Sequence, residues 1–380
     1  MIPKRDLNLL TVNTGSSSLK LAVYHFGETE TCTFSANIDR IGQQKVPDHG
    51  TALRILLERI QREAIYSRLD GAGHRVVLGD RRCLEHQLIT KRLSAVFQEL
   101  VQSAPDHVPQ VIESISTLES SYPGMPQAAC SDSAFHSRMP RVSQMYALPL
   151  RLFEQGVLRY GFHGLSCEYI MQELDSLDPA AANGRVIIAH LGNGSSVTAV
   201  DHGKSIDTSM GFTPMSGLVM GTRCGDVDPG VLLHLMDRDE MTSRGLNDLL
   251  NKKSGLLGLS EHSADMRDLI EREAADARCA DAITVFCYHV RKFIGAYTAA
   301  LGGLDTVVFT GGIGEHSAVI RERICTGLNC LGITLDSDAN RIDAGIISAK
   351  SSLVTVRVIR TDEDLMIARH TSQVITNSKT

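Results

Sequence analysis

The chain has 380 residues, 43% of them hydrophobic and 22% charged, with a formal net charge of −6. That length exceeds one compact core and fits two domains, and the acidic balance excludes the basic stripe of a nucleic-acid-binding protein. No stretch of about 18 apolar residues offers a membrane span, and nine cysteines without a CxxC pair argue against a disulfide framework or structural zinc and for reduced thiols.

The opening MIPKRDLNLLTV lacks the long apolar stretch and small-residue cleavage site of a secretory signal, so a cytoplasmic protein is expected. LNLLTVNT and SLKLAVYHF read as strands around a glycine-containing turn. TALRILLERIQREA repeats its apolar residues at helical spacing, and DGAGHRVVLGD reads as a strand flanked by glycines. GRVIIAHLGNGSSVTAVDHGKSIDTS gives two or three short strands. Over 277–303, Ile283, Phe286, Val290, Phe293, Tyr297 and Leu301 form one face of a long helix ending at Gly302 and Gly303. The strands DTVVFT and VTVRVI and the helix DEDLMIARHTSQVI complete the chain. This alternation predicts an α/β fold. The proline-containing stretch 122–149 is the expected boundary region.

VNTGSSSLKLAVY (12–24) has an echo in AHLGNGSSVTAVD (189–201). Both run apolar strand, Gly/Asn/Ser turn, apolar strand, which points to a duplicated domain whose halves each supply one loop to a shared cleft. In the first copy Gly15 frees the backbone, Ser16, Ser17 and Ser18 add small donors, and Lys20 adds charge. Asn13 can donate to an oxygen or hold a hydrated Mg²⁺. Taken alone, the stretch fits a polar-tipped hairpin as well as a phosphate cradle, and it lacks P-loop spacing. FTGGIGEHS is a third glycine-rich turn, placing Gly311, Gly312 and Gly314 between a strand and a helix.

Arg75 in GHRVV and Arg223 in MGTRCGD come from different halves, and two arginines suit a clamp on a transferring phosphoryl group. Asp132, His136 and His163 lie in non-periodic stretches with aromatic neighbours, and Asp132 suits either Mg²⁺ binding or proton acceptance. Asp265 and Arg267 precede one helix, while Asp362, Glu363 and Asp364 open the last; both fit helix capping equally well.

Together NTGSSSLK, GHRVV, SAFH, RYGFHG, HLGNGSS, DTSMGFTP, MGTRCGDVDP, SGLLG, DMR, FTGGIGE and TDEDLMIA occur in the order of the acetate kinase family, and the resemblance runs from about residue 8 to residue 370. It implies a duplicated actin/sugar-kinase/Hsp70-like (ribonuclease H-like) α/β core. The expected halves are 1–145 plus 364–380 and 146–363, with ATP in an interdomain cleft. The implied reaction is reversible transfer of a phosphoryl group between ATP and a short carboxylate, dependent on Mg²⁺ or Mn²⁺, in a homodimer. By motif position, Asn13 and Glu363 resemble metal residues and Lys20 a phosphate contact. Arg75 resembles the substrate-binding arginine, Asp132 the residue assigned as catalytic, and His163 and Arg223 the transition-state stabilisers. His190, Leu191, Gly192, Asn193 and Gly194 resemble a phosphate loop. Asp265, Met266 and Arg267, with Gly311, Gly312, Ile313, Gly314, Glu315 and His316, resemble the nucleotide site. Val77, Asp106, His107, Phe162 and Pro214 fall at acyl-pocket positions.

A carboxylate nucleophile is already ionised at neutral pH, with a pKa of about 4, and needs no strong base. Asp132 is therefore read as positioning a metal. The family's GHRVVHGGE is here GHRVVLGDR, with Leu78 and Asp80 as the changes, and APLHNP is APDHVP, with Asp106 and Val108. His316 stands where asparagine is usual. An ionised Asp106 beside a methyl group is poorly matched, which opens a kinase for a more polar acid as an alternative. An actin- or Hsp70-like ATPase switch is a third reading, against which Arg75, His163 and Arg223 speak together.

Overall fold

The computed structural model describes residues 6–15, 18–39, 41, 46–62, 68–101 and 107–378. They form two compact units, Met1–Ala134 with Asp362–Thr380, and Phe135–Thr361.

The first unit is built on β1 (Leu7–Thr14), β2 (Ser18–Phe26), β3 (Glu30–Asp39), β4 (Gly71–Val76), β5 (Gln87–Leu88) and β6 (Gln127–Ser131), in the order β3-β2-β1-β4-β6-β5. β1, β2 and β3 pair antiparallel, then β4 runs parallel to β1 and β6 parallel to β4. β1 is nearly continuously apolar because helices cover the sheet on both faces. On one face, Leu53, Leu56, Leu57 and Ile60 of the helix His49–Arg62 pack with Leu10, Val12, Leu21 and Val23. On the other, the last helix, Glu363–Asn377, crosses β1, β4 and β6. Its approach is close: a Cβ on Gly73 would stand 2.0 Å from Thr371 Oγ1 and 2.7 Å from Ile367 Cγ2.

The second unit repeats the plan. β7 (Arg185–Leu191), β8 (Ser195–Asp201) and β9 (Lys204–Thr208) pair antiparallel, and β10 (Thr306–Thr310) and β11 (Thr355–Val358) add in parallel, giving the order β11-β10-β7-β8-β9. The two echoing stretches are thus the equivalent first hairpins of two copies of one ribonuclease H-like sheet. The long helix spans Ala277–Ala300 and buries Ile283, Phe286, Val290 and Tyr297, with Phe293 and Leu301 packed against the same core. The opposite face is covered by the helix Gly164–Leu177, whose Ile170 and Leu174 pack with Val186, Ile188 and Val308.

Sequence patterning misses β6 and the helix Val108–Ser121. QAACS is fully buried and built of small residues, so it has no alternation to read.

Candidate active site

In the first unit the carboxyl ends of parallel strands gather the polar residues, the usual place for a ligand site in an α/β sheet. Asn13 lies at the end of β1, Arg75 at the end of β4, and Asp132 just beyond β6. Glu363 opens the last helix, whose cap is Asp362, accepting from the Leu365 N–H. Arg75 Nη2 donates to Asp132 Oδ2 at 2.9 Å; its Nη1 donates to Asn13 Oδ1 and meets Glu363 Oε2, both at 3.3 Å. Asn13 Nδ2 donates to the same Glu363 oxygen at 3.3 Å. Burial works against the Arg75 charge, but Asp132 and Glu363 outweigh it and hold the guanidinium above its ordinary pKa. Asp132 is fully buried, so this pair is screened little by water.

Beside Arg75 lies a narrow depression lined by Gly15, Val77, His107, Gln110 and Val111. Arg75, Val77 and His107 are thus brought together. Gln110 and Val111 join them, and sequence reasoning missed both because the helix that carries them was not foreseen. Asp106, like Ser16 and Ser17, lies outside the described residues. Phe162 and Pro214 belong to the second unit. Leu78 does not face the depression: it packs in an apolar cluster with Leu93, Phe97 and Val108. Asp80 caps the short turn Arg81–Cys83 and pairs with Arg82. Lys20 pairs with Asp364. Burial lowers the Lys20 pKa, yet Asp364 raises it by more.

In the second unit the turn from β7 to β8 is Gly192–Asn193–Gly194. A Cβ on Gly194 would stand 3.2 Å from His163 Nε2 and 3.4 Å from Arg223 Nη1, so both cationic or donor groups lie directly against the turn. His163 caps the helix Gly164–Leu177 in the left-handed region, with φ 59°, a costly conformation for a non-glycine residue. Its ring stacks on His190 with centroids 4.2 Å apart. His163 Nδ1 lies 3.0 Å from Ser196 Oγ, and His190 Nδ1 2.8 Å from Ser166 Oγ. Arg223 Nη1 donates to Pro214 O at 3.1 Å. Leu191 is buried in the core beneath the turn.

A cavity of about 870 Å³ opens beside this turn. Gly192 and Asn193, Asp265 to Arg267, and Gly312, Ile313 and His316 all line it, so three motifs far apart in sequence meet there. Ile270, Glu271 and Val319 are among the other residues of the wall and were not foreseen. Asp265 caps the helix Met266–Arg272, and its hydrogen bond from Arg267 holds the carboxyl below its ordinary pKa. Gly311 has φ 75°, and Gly314 packs against Phe309 and Ala189, so these two shape the loop rather than line the cavity. The Glu315 carboxylate turns inward, accepting from Gly311 N at 2.9 Å and from Thr310 Oγ1 at 3.3 Å. The fully buried Arg321 fixes the same loop, donating to Gly314 O at 2.8 Å and Glu315 O at 3.0 Å.

A family profile described as the Acetokinase family matches residues 8–369. The chain belongs to that family. It is therefore a phosphotransferase with a carboxyl group as acceptor and ATP as co-substrate. Among relatives of this chain, an acetate kinase of Rhodopseudomonas palustris is 43% identical over 387 residues, spanning 95% of this chain and 97% of that protein. An acetate kinase of Halothermothrix orenii is 40% identical over 397 residues, spanning 97% and 100%. The crystal structure of Porphyromonas gingivalis acetate kinase superposes with a TM-score of 0.86 at 35% identity, covering 97% of this chain and 100% of that one. A propionate kinase from Francisella tularensis gives 0.86 at 33%, with the same coverage.

Proposed function

We propose that this member of the family phosphorylates acetate or propionate with ATP, reversibly, giving an acyl phosphate and ADP. The observation that carries the reading is Arg75 beside a narrow depression walled by Val77 and Val111: a cation for the carboxylate, next to apolar side chains that match a short alkyl group. The acid binds through the guanidinium, which is already held charged. Its carboxylate attacks without a base. His163 Nε2, Arg223 and the Gly192–Gly194 turn take up charge on the transferring phosphoryl group. The nucleotide occupies the cavity between Asp265–Arg267 and Gly312–His316.

Asn13 Oδ1 and the Asp132 and Glu363 carboxylates, which pair with Arg75 in this structure, are oxygen ligands of the kind that suits Mg²⁺ or Mn²⁺. These three residues would hold the cation, which would neutralise charge on the phosphate oxygens. Reduced thiols support a cytoplasmic setting; among the described residues all nine cysteines are free, and no helix is long and apolar enough to cross a membrane. The helix Pro229–Arg238 buries none of its residues although Val231, Leu233 and Met236 are apolar, which supports a homodimer. The changes at Leu78 and Asp80 have structural reasons and give no support to a more polar acid.

The test is acyl hydroxamate formation with ATP, Mg²⁺ and a panel of short acids, for the wild type and Arg75→Ala. Acetate or propionate should react best. In Arg75→Ala, kcat/KM for the acid should fall by about 100-fold or more, while KM for ATP changes by less than about threefold. Absence of hydroxamate with both acids would sink the reading.

A further inference from the structure

Each of the two stacked imidazoles is met at Nδ1 by a serine hydroxyl, and one of those serines is held in turn. The Thr361 hydroxyl donates to Ser166 Oγ at 2.9 Å, and Ser166 Oγ lies 2.8 Å from His190 Nδ1, so a Ser166 hydroxyl with one acceptor site taken by Thr361 has its own proton to give to that nitrogen. A ring nitrogen that accepts a hydrogen bond carries no proton, and the neutral imidazole then bears it on Nε2. Nε2 is the atom turned to the glycine turn: a Cβ built on Gly192 would stand 3.9 Å from it. Ser166 is fully buried, so bulk water does not replace a lost partner there.

The same threonine reaches the nucleotide loop. Its N–H donates to Glu315 Oε1 at 3.1 Å, the oxygen that also accepts the Gly311 N–H. Thr361 is the last residue of the second unit, immediately before the cap of the helix that carries Glu363. One residue thus holds both a histidine turned to the glycine turn and the loop that lines the cavity beside it.

We propose that Thr361, acting through Ser166, is a positioning residue for phosphoryl transfer: it holds His190 as the Nε2–H tautomer, so the ring presents a donor to a phosphate at the Gly192–Gly194 turn. The opposite tautomer would present a lone pair to phosphate oxygens, which repels them. The proposal rests on the kinase reading above, and its test separates the two.

The full chain labelled with ¹⁵N-histidine gives long-range ¹H–¹⁵N spectra that distinguish the two tautomers, with His190 assigned by comparison with His190→Gln. The wild type should show His190 protonated at Nε2. Thr361→Val keeps the side-chain shape and the backbone N–H but removes the hydroxyl. Its His190 signals should move toward a tautomer mixture, and kcat should fall at least about tenfold with KM for ATP within about twofold. Thr361→Ser should restore both. Ser166→Ala should reproduce the Thr361→Val spectrum, and it carries the test if Thr361→Val does not fold. An unchanged His190 signature in the variant, an unchanged kcat, or a Thr361→Ser variant as impaired as Thr361→Val overturns the proposal. A wild type that shows the Nε2–H signature but makes no hydroxamate leaves the relay standing and defeats the kinase reading instead.

Discussion

Arg75 and His74 are neighbours on β4 with opposite fates, because successive side chains of a strand point to opposite faces. Arg75 reaches the polar site, while His74 is buried and meets Gln127 Oε1 through Nε2 at 2.7 Å. Its Nδ1 has no hydrogen-bond partner among the described residues. Burial pushes the His74 pKa down from 6.5 to about 4, with the Gln127 hydrogen bond opposing the shift only partly. The sign follows from where the proton binds first. As pH falls below 6.5 the unfolded chain takes up a proton that the folded chain refuses until about 4. The stability is therefore full above pH 6.5 and is lost as pH falls toward 4. At about 1.4 kcal/mol for each step of ten in proton affinity, His74 accounts for roughly 3 kcal/mol. His74→Gln keeps an amide donor for Gln127 without a titrating ring. Urea unfolding at pH 7 and pH 5 should show a smaller loss of stability in the variant. An equal loss in both proteins would show that His74 does not carry this dependence.

At the scale of elements, the site depends on how closely the last helix lies on β4. Gly73 leaves no room for a methyl group: its Cβ would meet the Thr371 and Ile367 side chains under 3 Å, and Ile367 O at 3.2 Å. Gly73→Ala must lift the helix, and Glu363 with it. Thermal and urea unfolding should show a loss of about 1–3 kcal/mol, with more Mg²⁺ needed for half-maximal rate. A variant as stable as the wild type would mean that the helix shifts without cost. Such local demands are what the sequence makes legible. The glycine turns, the Asp265 and Asp362 caps and the periodic helix Ala277–Ala300 are each set by neighbours within a few residues. What stayed hidden depends on distant partners. Leu78 reads as a change near the substrate, but Phe97 and Val108 make it core. Glu315 reads as a nucleotide contact, yet its carboxylate is taken by Gly311 and Thr361 N–H groups. Gln110 reaches the depression only because Val108–Ser121 forms a helix against β4.

Across the whole molecule, one sheet plan has been elaborated twice. The first copy gathers Asn13, Arg75, Asp132 and Glu363, and the second gathers His163, Arg223 and the glycine loops. The internal echo was enough to expose the duplication because both hairpins kept the same turn chemistry. Neither copy explains the helix Pro229–Arg238, whose Val231, Leu233 and Met236 remain exposed to solvent in the single chain. Apolar side chains left on one helix are stabilised when a second copy covers them, and a twofold contact uses the same patch on both chains. Leu233 is 63% exposed, so Leu233→Glu alters no core packing and should leave the fold of each chain unchanged. It does place two like charges across a twofold contact. Light scattering should give the wild type the mass of two chains and the variant, at micromolar concentration, the mass of one. Far-ultraviolet circular dichroism of the two should coincide. A wild type with the mass of one chain, or a variant that remains paired, would remove this helix from the interface.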